Sequence, residues 1–175
     1  VLVDFMLGDL NDKLSEVGRL DILSSVNDKA MAYFQSLPKT DVTDEALEQR
    51  AKALVKIGNV RSEQGDFAKA MDSYRASAAL SEQLAKATPR DVKIQLAHAG
   101  VLSYIGLMNW YQNDLDAAQA EFESAHRVLV AARSHATADP QLLFQLSTLD
   151  NNLGHILEVN GEFEAATGKY RRMLE

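Results

Sequence analysis

Three glycines, Gly58, Gly106 and Gly154, each follow an aliphatic residue, Ile57, Ile105 or Leu153, and stand one step of 48 residues apart. The same step links Ala70, Ala118 and Ala166, and again Tyr74, Phe122 and Tyr170. Three columns with one period describe a unit written three times. Such a unit builds an array in which each copy packs on its neighbours. Glycine lets helices approach, alanine fits where they cross, and an aromatic four residues later fills space on the same face. A site that performs chemistry is normally built once. The related stretches GDFAKAMDSY (65–74), NDLDAAQAEF (113–122) and GEFEAATGKY (161–170) therefore read as a joint, and function is sought elsewhere.

The units are helical. Only three prolines and nine glycines punctuate the chain, and the intervals between them are rich in Ala, Leu, Glu, Gln and Lys at helical spacing. Strand patterns are missing. Thr88 and Asp139 each precede a proline, which predicts N-cap and N1 positions and helix starts near 89 and 140. Gly65, Asn113 and Gly161 fall where one periodic run ends and another begins, as a left-handed C-terminal residue would. Helices are expected over 42–64, 66–87, 89–112, 114–136, 140–160 and 162–175.

At these residues the chain resembles the tetratricopeptide repeat family, whose pattern is W-x2-L-G-x2-Y followed by A-x3-F. The matching pieces are LVKIG with AMDSY, LSYIG with AQAEF, and DNNLG with ATGKY, over about residues 43 to 175. The resemblance implies an all-α, right-handed α-solenoid of antiparallel helix pairs. Its three units would span about 43–88, 89–138 and 139–175, within a repeat region of 39–175. Two departures stand out. The family unit has about 34 residues, so the excess is placed as about two extra turns in each of two helices. The first family aromatic is replaced by Leu54, Leu102 and Asp150, which makes the third copy the least regular.

Residues 1–38 lie outside the period. Val3, Leu7, Leu10, Leu14 and Val17 form one helical stripe, and a second helix is expected from Leu20 to Gln35 with Leu23, Val26, Ala30 and Phe34 on one side. The pair is expected to cap the array, since an end repeat exposes apolar surface. The wording VDFMLGDLNDKL…VGRLDILSSVNDKAMAYF is similar to a segment preceding tetratricopeptide arrays in some large bacterial signalling proteins, including membrane-anchored kinases. That similarity implies a regulatory or sensory portion of a bigger protein. The first residue, Val1, and a last helical pattern still running at Glu175 point the same way.

Composition bounds the partners. A formal net charge of -7 argues against nucleic acid and against direct contact with an anionic membrane surface, both of which need clustered positive charge. No apolar run reaches the roughly 18 residues of a spanning helix. Cysteine is absent, which removes disulfides, zinc-thiolate sites and cysteine nucleophiles and leaves the compartment open. His98, His126, His135 and His155 have no metal-ligand spacing, and the GK pair in TGKY lacks the glycines of a phosphate loop. Asp114 with Asp116 and Glu121 with Glu123 read as solvated charge on helix faces. No cofactor, metal or catalytic residue is implied, and the expectation is a protein that is not an enzyme.

Binding of a protein or peptide is expected instead, because stacked helix pairs offer an extended groove lined by the first helix of each pair. The family resemblance implies groove positions two, five, six, nine and twelve of that helix, counted from Ala51, Ala99 and Ser147. These are Lys52, Val55, Lys56, Asn59 and Ser62; Ser103, Tyr104, Leu107 and Trp110; and Thr148, Asn151, Asn152, His155 and Glu158. Asn151 and Asn152 resemble the asparagine-rich groove of kinesin-light-chain-like repeats, where amides can bond both donor and acceptor of a peptide backbone. In members that clamp a terminal carboxylate, basic residues do the work. Asn59 matches that pattern, but Val55, Tyr104 and Thr148 stand where lysine, asparagine and lysine are wanted, so a clamp is not expected. Trp110 with Tyr111 is the one conspicuous aromatic pair. The alternative expectation is self-association, with the array spacing or pairing catalytic domains elsewhere in the polypeptide.

Overall fold

A computed structural model of the chain describes residues 20–36 and 43–173. Among these there are seven helices and no strand: α1 (Leu20–Ser36), α2 (Asp44–Glu63), α3 (Phe67–Ala87), α4 (Val92–Tyr111), α5 (Leu115–Arg133), α6 (Pro140–Val159) and α7 (Phe163–Arg172). The fold is all-α, built from antiparallel helix pairs that repeat every 48 residues. Helices α2 to α6 run 19 to 21 residues, as the lengthened unit requires. None of the described helices is long and apolar enough to cross a membrane. The expected first helix, with Val3, Leu7, Leu10, Leu14 and Val17, lies outside the described residues, as do the side chains of Leu23 and Phe34.

Each pair closes through the same turn. Gly65, Asn113 and Gly161 have φ of 77°, 61° and 80°. Glycine reaches this left-handed region without steric cost, and asparagine is among the few other residues that tolerate it. In the first turn Gly65 N–H donates to Ser62 O and Asp66 N–H to Arg61 O, both at 2.9 Å, which satisfies two of the carbonyls a helix end leaves open. The corresponding pairs recur at Asn113 and Asp114, and at Gly161 and Glu162.

N-termini follow the capping rule with one correction. Thr43, Asp114 and Asp139 accept the amides of Ala46, Ala117 and Leu142, and Pro140 occupies the first turn after Asp139. The helix expected from 89 begins instead at Val92, because Asp91 is its cap, accepting from Lys93 N at 3.0 Å and Ile94 N at 3.3 Å. Thr88 is unavailable for that role: its hydroxyl donates back to Leu84 O at 2.8 Å. Its carbonyl takes the Asp91 amide at 3.1 Å, closing a turn with Pro89 at the position where proline's fixed φ is favoured. The helix expected to reach 136 ends at Arg133 and runs on as tight turns, His135 N–H donating to Ala132 O.

The chain divides into two compact units, residues 1–80 and 81–175, with the boundary inside α3. In the first unit Met31 of α1 packs with Ala53, Leu54 and Ile57 of α2, bordered by Ala76 and Leu80 of α3. Arg61, itself buried, ties the three helices: it donates to Ser73 Oγ at 2.7 Å, to Lys69 O at 3.2 Å and to Asp28 Oδ1 at 2.7 Å. In the second unit Leu96 and Ala99 of α4, Phe122, Ala125, Leu129 and Ala132 of α5, and Leu142, Leu149, Leu153 and Ile156 of α6 form one core. Each large apolar side chain so buried contributes about 1.5–3 kcal/mol.

The glycine and aromatic columns are partners of each other. A Cβ built on Gly58 would stand 2.5 Å from Tyr74 Cε1, and one on Gly106 would stand 2.6 Å from Phe122 Cε1. Gly154 faces Tyr170 in the same way. The ring of the second helix thus lies against bare backbone of the first, and Ala70, Ala118 and Ala166 are buried.

Candidate functional site

The residue after each of these glycines answers the ring. Asn59, Leu107 and His155 are equivalent by the 48-residue step, and so are Tyr74, Phe122 and Tyr170. Tyr74 donates to Asn59 Oδ1 at 2.8 Å. Tyr170 lies 3.2 Å from His155 Nδ1 through its hydroxyl. Phe122 has no hydroxyl, and its counterpart Leu107 is apolar and packed against the core. Two of the expected groove residues, Asn59 and Leu107, therefore also have a packing role within their own pair.

In the first unit Lys52 is exposed and pairs with Glu48 at 2.6 Å. Lys56 is exposed, and Val55 and Ser62 are half-buried. In the second unit the expected residues lie on α4 and α6, which Trp110 joins. Its ring centroid is 6.4 Å from that of Phe122 behind it and 6.4 Å from His155 on α6, edge-on at 82°. His155 in turn meets Tyr170 edge-on at 5.6 Å. Tyr170 donates to Glu158 Oε2 at 2.9 Å, and Glu158 is also 3.8 Å from His155 Nδ1. Desolvation first, and then the Glu158 hydrogen bond, raise the Tyr170 phenol above its ordinary pKa.

Beyond this aromatic group, Tyr104, Asn151 and Asn152 are half-buried. Ser103 is half-buried and donates to Ala99 O, while exposed Thr148 donates to Phe144 O. Asn151 and Asn152 make no side-chain hydrogen bond to described residues, which leaves their amides available to a partner backbone. From Ile94 to Tyr111 the only ionisable residues are His98 and Tyr side chains, and from Pro140 to Val159 the only carboxylates are Asp150 and Glu158, with no lysine or arginine in either stretch.

Two buried polar groups lie behind this surface. Asp150, the residue that breaks the Leu54 and Leu102 column, is buried with Lys169 Nζ at 3.1 Å, His126 Nε2 at 3.4 Å and Arg172 Nε at 3.7 Å. It binds α7 to α6 by charge, and meets α5 through the His126 ring, where the other copies use leucine. His98 is buried and bonded through Nδ1 to Ser81 Oγ at 2.9 Å. Burial lowers its pKa, with Glu82 pulling the other way. Burial also lowers that of His126, reinforced by the charge of Lys169 and opposed by Asp150.

No family model matches the chain, and no curated protein matches it. Among solved structures it is similar to BtubC (BKLC) from P. vanneervenii, at 19% identity over 95% of this chain and 76% of that one, with a TM-score of 0.45. It is also similar to MamA MSR-1 C2, at 10% identity over 99% of this chain and 95% of that one, with a TM-score of 0.31.

Proposed function

We propose that the chain is a non-catalytic protein-interaction module that binds a peptide or helix of a partner protein along α4 and α6, the first helices of the two pairs in its second unit. The supporting observation is a division of labour within the repeat. The glycines Gly58, Gly106 and Gly154 and the alanines Ala70, Ala118 and Ala166 are buried in the joint, whereas Lys56, Tyr104 and Asn152 occupy one equivalent outward position with three chemistries, the first exposed and the other two half-buried. The Trp110–His155 contact makes the outward positions of α4 and α6 neighbours, and amides beside aromatics suit an amphipathic or extended segment. The similarity of the N-terminal segment to signalling proteins favours a regulatory role within a larger bacterial polypeptide.

The test is peptide capture from a random-peptide display library, followed by affinity measurement with Tyr104, Asn151 and Asn152 changed together to alanine. Binding at the micromolar level corresponds to about -8 kcal/mol. The triple variant should weaken it at least tenfold, and unchanged affinity would sink the assignment to this face. A second reading, self-association, draws support from exposed Phe144, Val159 and Phe163 in the second unit. Light scattering of the chain across a concentration series separates the two, since a strict monomer that still captures peptides supports only the first.

A further inference from the structure

The ledge formed by Trp110, His155, Glu158 and Tyr170 has a donor and acceptor pattern that restricts what can sit on it. A carboxylate only accepts hydrogen bonds, so the Tyr170 hydroxyl spends its one hydrogen on Glu158 Oε2 at 2.9 Å. The phenol oxygen can then meet His155 Nδ1, 3.2 Å away, only as an acceptor, and Nδ1 carries the proton. In the neutral ring this leaves Nε2 a bare acceptor. Glu158 Oε1 is a second one, and neither meets a donor among the described residues. His155 and Glu158 are about half exposed, at 51% and 53% of their side chains. Beside them lies the indole of Trp110.

Among the described residues no lysine or arginine is paired with His155 or Glu158. The described stretches of α4 and α6 from Ile94 to Tyr111 and from Pro140 to Val159 contain no lysine or arginine. Lys169 and Arg172 are drawn to Asp150, two turns away and about 12 Å along α6 at the helical rise. Two outward acceptors, a carboxylate charge and an electron-rich ring face call for an occupant that is cationic, rich in N–H donors and able to lie against an aromatic ring.

We propose that this ledge seats an arginine or lysine side chain of the polypeptide bound along α4 and α6. The inference rests on the binding reading above and adds the chemical class of the partner's anchor. Glu158 supplies the counter-charge, His155 a further acceptor held in one tautomer by Tyr170, and Trp110 the surface against which the side chain lies.

Binders selected from a random-peptide library against the whole chain test it. One position of the selected peptides should be dominated by Arg or Lys, and binding should quench the emission of Trp110, the chain's only tryptophan. Replacing that residue by norleucine should weaken binding to the unaltered protein by about tenfold, the scale of a single charge-assisted contact. The same replacement should have little effect against Glu158→Gln, which keeps an acceptor for Tyr170. Selection against Glu158→Lys should shift the position to Asp or Glu. Binders without a basic preference, or an equal norleucine effect on both proteins, overturn the proposal. If those binders are still lost with the Tyr104, Asn151 and Asn152 variant, the binding reading stands and only the basic anchor falls. If no binder is selected at all, both fall.

Discussion

Tyr74 donates its hydroxyl hydrogen to Asn59 Oδ1 at 2.8 Å, across the joint of the first helix pair. One period later both members change together, to Phe122 and Leu107. Polar pair and apolar pair are alternative solutions of one packing problem, which gives a prediction. Asn59→Leu removes the acceptor of a phenol in a largely buried place and should lower stability by about 1–3 kcal/mol. Adding Tyr74→Phe should restore most of that loss. A double-mutant cycle by urea denaturation checks it, and purely additive effects would show that the two residues are not coupled.

Glycines within helices separate into two kinds. Gly106 has the ring of Phe122 where a side chain would go, whereas Gly100, on the same helix, has open space. Alanine favours a helix interior over glycine by about 1 kcal/mol. Gly100→Ala should therefore stabilise by up to that amount. Gly106→Ala must displace a fully buried ring, and should destabilise by about 1–3 kcal/mol despite the propensity gain. Equal shifts in melting temperature for the two variants would refute the glycine-to-ring account.

How much of this is legible in the sequence depends on whether a requirement is local. A positive φ admits few residue types, so Gly65, Asn113 and Gly161 announce their turns, and the Gly58 column announces a close approach. The cap at Thr88 is misread because a threonine before proline and an aspartate after it compete within four residues, and only the hydrogen bond from Thr88 to Leu84 decides between them. Asp150 reads as an irregularity, since its partners His126, Lys169 and Arg172 come from two other helices and no periodicity links them. The ring-to-ring path from Trp110 through His155 to Tyr170 is hidden for the same reason. Of the candidate binding residues, the outward positions are those the family resemblance implies, but the dual role of Asn59 appears only when Tyr74 is placed beside it.

The charge at Asp150 is itself testable. Asp150→Leu introduces the residue found in the other two copies, yet it leaves Lys169, whose side chain is only 19% exposed, without its partner. Breaking a buried pair on one side typically costs about 3–5 kcal/mol, and some relief is expected as Lys169 reaches water. Asp150→Leu with Lys169→Met should recover most of the loss. If Asp150→Leu alone is as stable as the parent chain, the charge cluster does not hold α7 in place.

Acid should weaken the second unit before it protonates most carboxylates. In the folded chain His98 and His126 lie below the ordinary histidine value of 6.5, chiefly because burial disfavours the imidazolium. Between the folded and unfolded values the unfolded chain binds more protons, so stability rises with pH there. The contribution is complete above about pH 6.5 and is lost as pH falls through the folded values. Urea midpoints at about pH 7.5 and about pH 5.5 should show the drop, and His98→Gln should flatten it. A midpoint that rises on acidification would contradict the neutral, buried state of these rings.

In the proposed mode of binding the joints hold the repeat while the outward positions of α4 and α6 contact the partner. The most direct measurement is nuclear magnetic resonance of the isotopically labelled chain titrated with a selected peptide. Shifts should concentrate at the Trp110 indole, the Asn151 and Asn152 side-chain amides and the backbone around Tyr104, with the α5 amides unmoved. Shifts concentrated on α5, or at exposed Phe144 and Phe163, would contradict it.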